Sequence, residues 1–473
     1  MSSKLRISAS ILTIIAAFAL VWFGAIHRTS DASGVHRMLV AFNSNSFGSD
    51  TSDNGTSTSP QSDSQDLAIL DYSLEKLQEV YYKPVDVNVL VRGEQRGIAA
   101  LLKSKHITQT LAPVTTTSAS EDDANSLLRT AFTTFGSKVG DDDLTFAAIS
   151  GMLDSLGDPY TVFLDPREKR SLTELISGGN FGGIGIYIGQ DDKSKSTIII
   201  EPIVGTPADR AGLKAGDLIV SVDGHPTKGL KLDPVMNLIR GKAGTTAHLA
   251  IQRSGQPAKV YSVVREEIHV PSVAYHLIDK DVGYIQLFDF GDTSAQEVNS
   301  ALTTLASQGA KAYVLDLRNN GGGLLSAAVD VSSKFISDGP IVSIIDRAGK
   351  IETHDANGDA IAPHPLVVLV NQYTASASEI TAGAIQDTKV GSLIGVKTYG
   401  KGVVQTIFDL PGASAIKITT ARYVTPAGRD INKKGIPPNV VVPMDPRLVG
   451  IPSRDVQLHA ALDDIRKQLA LVH

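Results

Sequence analysis

The sequence contains no cysteine, one tryptophan and only 5% aromatic residues. The missing thiols exclude disulfide staples, thiolate metal sites and a cysteine nucleophile together. No long Lys/Arg stripe interrupts the chain and the formal net charge is -6, so the electrostatic footprint of a nucleic-acid binder is missing and DNA or RNA is discounted as a partner. Histidine occurs 11 times, but never in a metal-protease HExxH pattern: His225 follows an Asp-Gly turn, His248 sits in a strand-like run and His364 lies between prolines. A zinc protease is unsupported. A Ser/His/Asp hydrolase would need a His-bearing motif upstream and a GxSxG-like nucleophile turn, and neither occurs. No repeat with a period of about 20 to 50 residues is evident, which removes solenoids and propellers.

What is present is a long chain of folded-protein composition. Its 473 residues, 42% hydrophobic and 20% charged, with 42 Gly and 21 Pro, point to two or three globular domains. At the N-terminus Lys4 and Arg6 precede an uncharged run from Ile7 to Ile26. As a helix of about 20 residues it reaches roughly 30 Å, the thickness of a bilayer core. With the positive charges ahead of it, residues 1–28 read as a signal anchor that leaves the rest outside the cytoplasm, periplasmic or extracytoplasmic. Cleavage of this segment as a signal peptide, giving a secreted protein, is the competing reading.

The tract from Asn43 to Gln65, NSNSFGSDTSDNGTSTSPQSDSQ, is too polar to bury a core and marks a linker over 29–66. Leu67 to Tyr82 then shows helical spacing, stopped at Lys83-Pro84, and opens a helical cap over 67–178. A polar stretch from Ala112 to Asn125 reads as part of an insertion near 104–140. Beyond Gly178 short β-rich runs separated by Gly, Pro and Asp turns form a β-domain over 179–268. After Pro271 apolar strands such as AYVLDL and PLVVLV alternate with helical patterns, the signature of an α/β layer covered on both faces, over 269–445. A helical tail, 446–473, closes the chain. The fold class expected is multidomain α+β: one transmembrane helix, a helical cap, a β-domain and an α/β core.

Three motifs carry chemistry. NQYTASASEITAG, Asn371 to Gly383, follows an apolar strand, and small residues at a strand-to-helix junction let a hydroxyl stand exposed beside helix N-terminal amides. Taken alone it also reads as a Ser-rich N-cap with Glu379 at a capping-box position. KTYGKGVVQ, Lys397 to Gln405, flanks Lys401 with glycines that permit close backbone approach, with a glutamine four residues on that can hydrogen-bond an amine. VLDLRNNGGGLL, Val314 to Leu325, ends a strand in a glycine run able to expose an N–H or simply to turn.

Together, DLRNNGGG, TASASE and GKGVVQ resemble the carboxyl-terminal processing proteases, the S41 serine proteases with a Ser/Lys dyad and an embedded PDZ domain. SLGDPYTVFLDP (Ser155 to Pro166), LIRGKAGT (Leu238 to Thr245), VGYIQLFDF and the closing KITTARYVTPAGRDINKKGIPPNVVV match the same family. The resemblance covers about residues 67–445, and the combination is highly specific. It departs at Asn439, where the family often places Asp.

The resemblance implies a crotonase-like α/β core and a serine-type endopeptidase. Ser376 is the implied nucleophile, Lys401 the general base, Gln405 the residue orienting Lys401, and the amides of Gly322 and Ala377 the oxyanion hole. Ser378 is the rival nucleophile; Lys397 and Lys417 are rival bases. Within the PDZ segment FGGIGIYIG, residues Gly183, Ile184, Gly185 and Ile186 are the implied site for a substrate's C-terminus, Ile184 and Ile186 lining an apolar pocket. The partners implied are protein substrates with apolar C-terminal tails and the membrane; a homo-oligomer or a regulatory partner stays open. No metal or organic cofactor is called for. A PDZ scaffold that binds C-termini without cutting is the alternative function. The chemistry makes one demand: a lysine with an ordinary pKa near 10.4 must be brought about three units lower, about 4 kcal/mol, to act as a base near neutrality. Burial is the means, so Lys401 is expected to be desolvated with no carboxylate beside it.

Overall fold

A computed structural model describes residues 60–114, 118–176, 181–190 and 196–471. The apolar run Ile7–Ile26 and most of the polar tract after it lie outside the described residues. Among those described, no helix is long and apolar enough to cross a membrane.

The cap is built from α1 (Pro60–Val80), α2 (Val87–Ser104), α3 (Glu121–Val139) and α4 (Asp141–Asp154), followed by β1 (Val162–Leu164) and α5 (Pro166–Ile176). One expectation is corrected here. The first helix begins at Pro60, inside the tract read as linker, because a helix backbone needs no apolar side chains in its opening turn and proline is tolerated there. The stretch near 104–140, read as an insertion, packs into the cap: Ser120 and Asp123 form a capping box, and Leu127, Leu128, Phe132 and Phe135 of α3 are buried in the cap core with Leu70, Leu74 and Leu77 of α1. The acidic first turn Glu121-Asp122-Asp123, polar to a reader of hydropathy, is the end of a helix dipole that favours negative charge.

The β-domain consists of β2 (Phe181–Gly183), β3 (Ile186–Gln190), β4 (Thr197–Pro202), α6 (Pro207–Arg210), β5 (Leu218–Val222), β6 (His225–Pro226), α7 (Leu232–Ile239), β7 (Thr246–Gln252), β8 (Lys259–Val264) and β9 (Glu266–Ile268). Its sheet runs β3-β4-β5-β7-β8, with β6 paired to β5 and β2 to β9. Strand β3 therefore forms one edge.

The last domain starts with β10 (Val273–Ile278), β11 (Val282–Leu287), α8 (Ser294–Ser307), β12 (Ala312–Asp316), α9 (Leu325–Ser332), β13 (Pro340–Asp346), β14 (Ile351–Asp355) and β15 (Leu366–Val370). It continues with α10 (Ala377–Thr388), β16 (Ser392–Gly395), β17 (Val403–Asp409), β18 (Ala415–Val424), β19 (Val440–Val441) and α11 (Val456–Leu471). One sheet runs β10-β11-β12-β15-β16-β19, parallel from β11 onward. Alternate residues of each strand enter two different cores, as the pleat requires. Leu315, Val368 and Val370 face α8, α9 and α10, whereas Val314, Val367 and Leu369 face Ala461, Leu462 and Ile465 of α11. Coverage on both faces explains why these strands read as continuous apolar runs.

A second sheet, β1-β18-β13-β14 with β17 on β18, ties the cap to this domain: Val162 of β1 pairs with Lys417 of β18. Asn439, the departure noted above, accepts hydrogen bonds from the Leu393 N–H and Gln386 Nε2 through its Oδ1, a task that a carboxylate oxygen would perform equally.

Candidate active site

Strand β15 delivers Asn371–Ala375 as a turn stitched to the end of β12. The Asn371 N–H donates to Thr374 Oγ1, which donates to the Leu317 carbonyl at 2.8 Å, and the Ala375 N–H donates to the Asn320 carbonyl at 3.0 Å. Ser376 follows at φ 56°, ψ -119°, the N-cap of α10. Left-handed backbone at a residue with a Cβ costs on the order of 1–3 kcal/mol and persists where neighbours enforce it. Ser376 keeps partial solvent access; Ser378 is fully buried and its hydroxyl donates to the Asn320 carbonyl at 3.0 Å.

The glycine loop lies directly against this turn. A Cβ at Gly322, where φ is +99°, would sit 2.8 Å from Ser376 Cβ and from the Ala377 nitrogen. No side chain fits there. The Gly322 N–H, expected to be open to an oxyanion, instead donates to Asn320 Oδ1 at 2.8 Å. Ala377 is the first residue of α10; its N–H has no acceptor within the helix and stands at the positive end of the dipole.

Lys401 enters from the loop between β16 and β17. Its glycine neighbours are needed for contact: a Cβ at Gly400 would lie 2.7 Å from the Gly435 nitrogen, and one at Gly402 2.6 Å from the Asn432 nitrogen. Lys401 is only 7% exposed. Burial above all, with the like charge of Lys417 second, brings its pKa down to about 7, against the weaker opposing pull of Glu379 and Asp158. The expectation of a site without carboxylates is thus amended: two are near, and desolvation outweighs them. Burial also lowers Lys417, while Lys397 is exposed. The Tyr160 ring of the cap lies over Lys401 Nζ, 5.0 Å from its centroid.

Glu379 organises both halves. Its Oε2 accepts the N–H of Ser376 at 3.0 Å and of Lys401 at 2.8 Å; Oε1 accepts the Gly400 N–H at 2.7 Å and the Thr398 hydroxyl. Opposite, the Tyr423 hydroxyl lies 3.0 Å from the Ser376 carbonyl and 2.7 Å from that of Lys401. Gln405 follows a register shift in the β17–β18 pairing, and its Nε2 is buried without a hydrogen-bond partner among the described residues.

In the β-domain, the Ile184 carbonyl accepts the Ala208 N–H, and that of Gly185 accepts the Ile203 N–H and the Thr206 hydroxyl. Ile184 is 1% exposed in the domain core, so its side chain does not line a groove as expected, and any contact with a ligand falls to its backbone. Gly183 is buried and Ile186 half-buried at the start of edge strand β3.

Sequence reasoning missed Asn320, Tyr160, Tyr423 and the second role of Glu379. The N-cap spacing of Glu379 was visible and its reach to Ser376 follows from it. Nothing local signals its grip on Thr398–Lys401.

The peptidase family S41 model matches residues 281–442, and a PDZ domain model matches 198–253. A carboxyl-terminal-processing protease of Synechocystis sp. is 40% identical over 336 residues, covering 70% of this chain and 78% of that protein. The carboxy-terminal processing protease CtpA of Bacillus subtilis is 40% identical over 304 residues, covering 64% and 65%. A solved structure described as photosystem II D1 C-terminal processing protease aligns at 31% identity and a TM-score of 0.44, over 81% of this chain and 94% of that one.

Proposed function

The chain belongs to the carboxyl-terminal processing proteases of family S41, and from that membership we propose a serine endopeptidase in which Ser376 is the nucleophile and Lys401 its general base. One observation carries the reading: a buried lysine with a pKa of about 7 is anchored by the same carboxylate oxygen as a serine held in left-handed backbone. Neutral Lys401 takes the Ser376 proton as the hydroxyl attacks the scissile carbonyl, then returns it to the leaving amine; water resolves the acyl-enzyme. Gln405 orients the amine. The Ala377 N–H receives the developing oxyanion, and Gly322 joins it once the oxyanion replaces Asn320 Oδ1 as acceptor, an exchange of one hydrogen bond for a charge-assisted one. Ser378 is a poor rival because its hydroxyl is buried and already donates.

The PDZ module, residues 179–268, captures the substrate's C-terminus: an apolar tail adds as a strand along the free edge of β3, its carboxylate held by amides of Gly183, Ile184, Gly185 and Ile186. Residues 1–28 anchor the protein in a membrane, with the cap running from Pro60 to Ile176, 269–445 as the catalytic core and 446–473 as its tail, all outside the cytoplasm. The test is mass spectrometry of an unfolded protein with an apolar C-terminal tail incubated with the full chain, Ser376→Ala and Lys401→Ala. Cleavage by the parent alone supports the dyad; tail binding with no cleavage by any of the three would leave a PDZ scaffold.

A further inference from the structure

The amine of Lys401 is covered by a residue that belongs to neither the glycine loop nor the nucleophile turn. The cap segment Asp158–Leu164 is stitched to the core at several points. The Tyr160 N–H and the Thr161 hydroxyl donate to Asp158 at 3.0 and 2.8 Å; Thr161 Oγ1 in turn accepts the Thr419 N–H, the Thr419 carbonyl accepts the Tyr82 N–H, and β1 pairs with β18. Thus fixed, the segment lays the Tyr160 ring over Lys401 Nζ, 5.0 Å from the ring centroid. Tyr160 is partly exposed where Lys401 is 7% exposed.

Building on the Ser376/Lys401 reading, we propose that Tyr160 is a positioning residue of the catalytic base, its aromatic face holding the Lys401 amine in place and keeping water from it. The effect has two parts of opposite sign. An aromatic face attracts the ammonium form, while exclusion of water disfavours it. Burial is the first cause of the lowered Lys401 pKa; on this proposal the ring contributes to that burial and the second part outweighs the first. The other groups that act on Lys401 are Lys417 of β18, Glu379 of α10 and Asp158 of the cap, together with Tyr423 at its carbonyl; Glu168 faces Lys417. None of them is removed by replacing the ring, so a change in the titration of Lys401 reports on Tyr160 itself. The active site is then completed by the helical cap.

The experiment follows kcat/KM of the full chain from about pH 6 to about pH 10 for the parent and for Tyr160→Phe, Tyr160→Leu, Tyr160→Gln and Tyr160→Ala. Lys401→Ala and active-site labelling by a fluorophosphonate serve as controls. Phe and Leu, which keep an apolar cover, should leave the midpoint of the acid limb near the parent's. Gln and Ala, which admit water, should raise it, with a roughly tenfold loss at neutral pH for each unit of displacement, recovered at alkaline pH. Gln and Ala profiles that stay parallel to the parent's, lowered by one factor at every pH, overturn the proposal, as does a raised midpoint in Tyr160→Phe. If Gln and Ala fail to fold, Tyr160→Thr takes their place with the same expected rise, and a midpoint at the parent's value in that variant overturns the proposal. A parent that cleaves no better than Lys401→Ala overturns the dyad itself, a different outcome from parallel profiles in a Lys401-dependent enzyme.

Discussion

Ser376 and Lys401 hang from a single atom: Glu379 Oε2 accepts the backbone N–H of Ser376 at 3.0 Å and that of Lys401 at 2.8 Å. The carboxylate fixes where the two residues stand without touching the proton either would exchange. Glu379→Gln offers one acceptor oxygen in place of two and adds an amide that must donate. With four donors converging on the carboxylate, it should lower kcat by at least about tenfold while KM changes little. Steady-state kinetics, with thermal melts to confirm folding, check this.

The lowered pKa of Lys401 makes two statements about pH. Only the neutral amine is a base, so kcat/KM should rise with pH, reach half its maximum near pH 7, and level off above it. The stability sign follows from proton counting. Between a folded pKa of about 7 and the ordinary lysine value the unfolded chain binds the extra proton, so this residue's cost to the fold is largest below pH 7 and fades as pH rises through that window. Lys401→Met should therefore stabilise the protein at neutral pH by about 1–4 kcal/mol, with the gain shrinking toward pH 10; denaturant unfolding at several pH values measures it.

Gly322 is required twice, by its φ of +99° and by the lack of room beside Ser376 and Ala377. Gly322→Ala should displace the turn that presents Ser376 and cut kcat by about 10²–10³, the scale of losing an oxyanion donor. Binding of an apolar C-terminal peptide to the PDZ module, followed by calorimetry, should be unchanged.

Arg318, three residues before the glycine run, is fully buried and held by Asp316 and, bidentately, by Asp455 at 2.7 and 2.8 Å. Asp455 directly precedes α11, beyond the S41 match. Asp455→Asn leaves a buried cation half compensated and should cost about 3–5 kcal/mol. Because Arg318 leads into Asn319–Gly323, the loss should extend to activity. Urea titration beside a cleavage assay reads both.

The outline of this protein was legible because its signals are local. Alternating apolar strands and helices announced the α/β layer, while the glycine run and the Ser-rich strand-to-helix junction, each readable alone as a plain turn or N-cap, gained meaning only together through the family resemblance. The cap was half misread for the same reason. An acidic opening turn looks like a polar insertion until its capping box is seen to start a helix whose far face carries Leu127, Leu128, Phe132 and Phe135.

The sequence by itself offered the residues that could do chemistry: a lysine between glycines, serines at a strand-to-helix junction and a glycine loop, with Ser376 and Lys401 singled out among their rivals by the family resemblance. Only the tertiary structure decided how they are held. The Tyr160 ring of the cap reaches the Lys401 amine across the domain boundary; the Glu379 clamp spans 22 residues and the Arg318–Asp455 pair 137. Hydrophobic periodicity and turn chemistry act over a few residues and so are written in the chain. Desolvation and hydrogen bonds between distant segments exist only after the cap, loops and terminal helix have closed on one another.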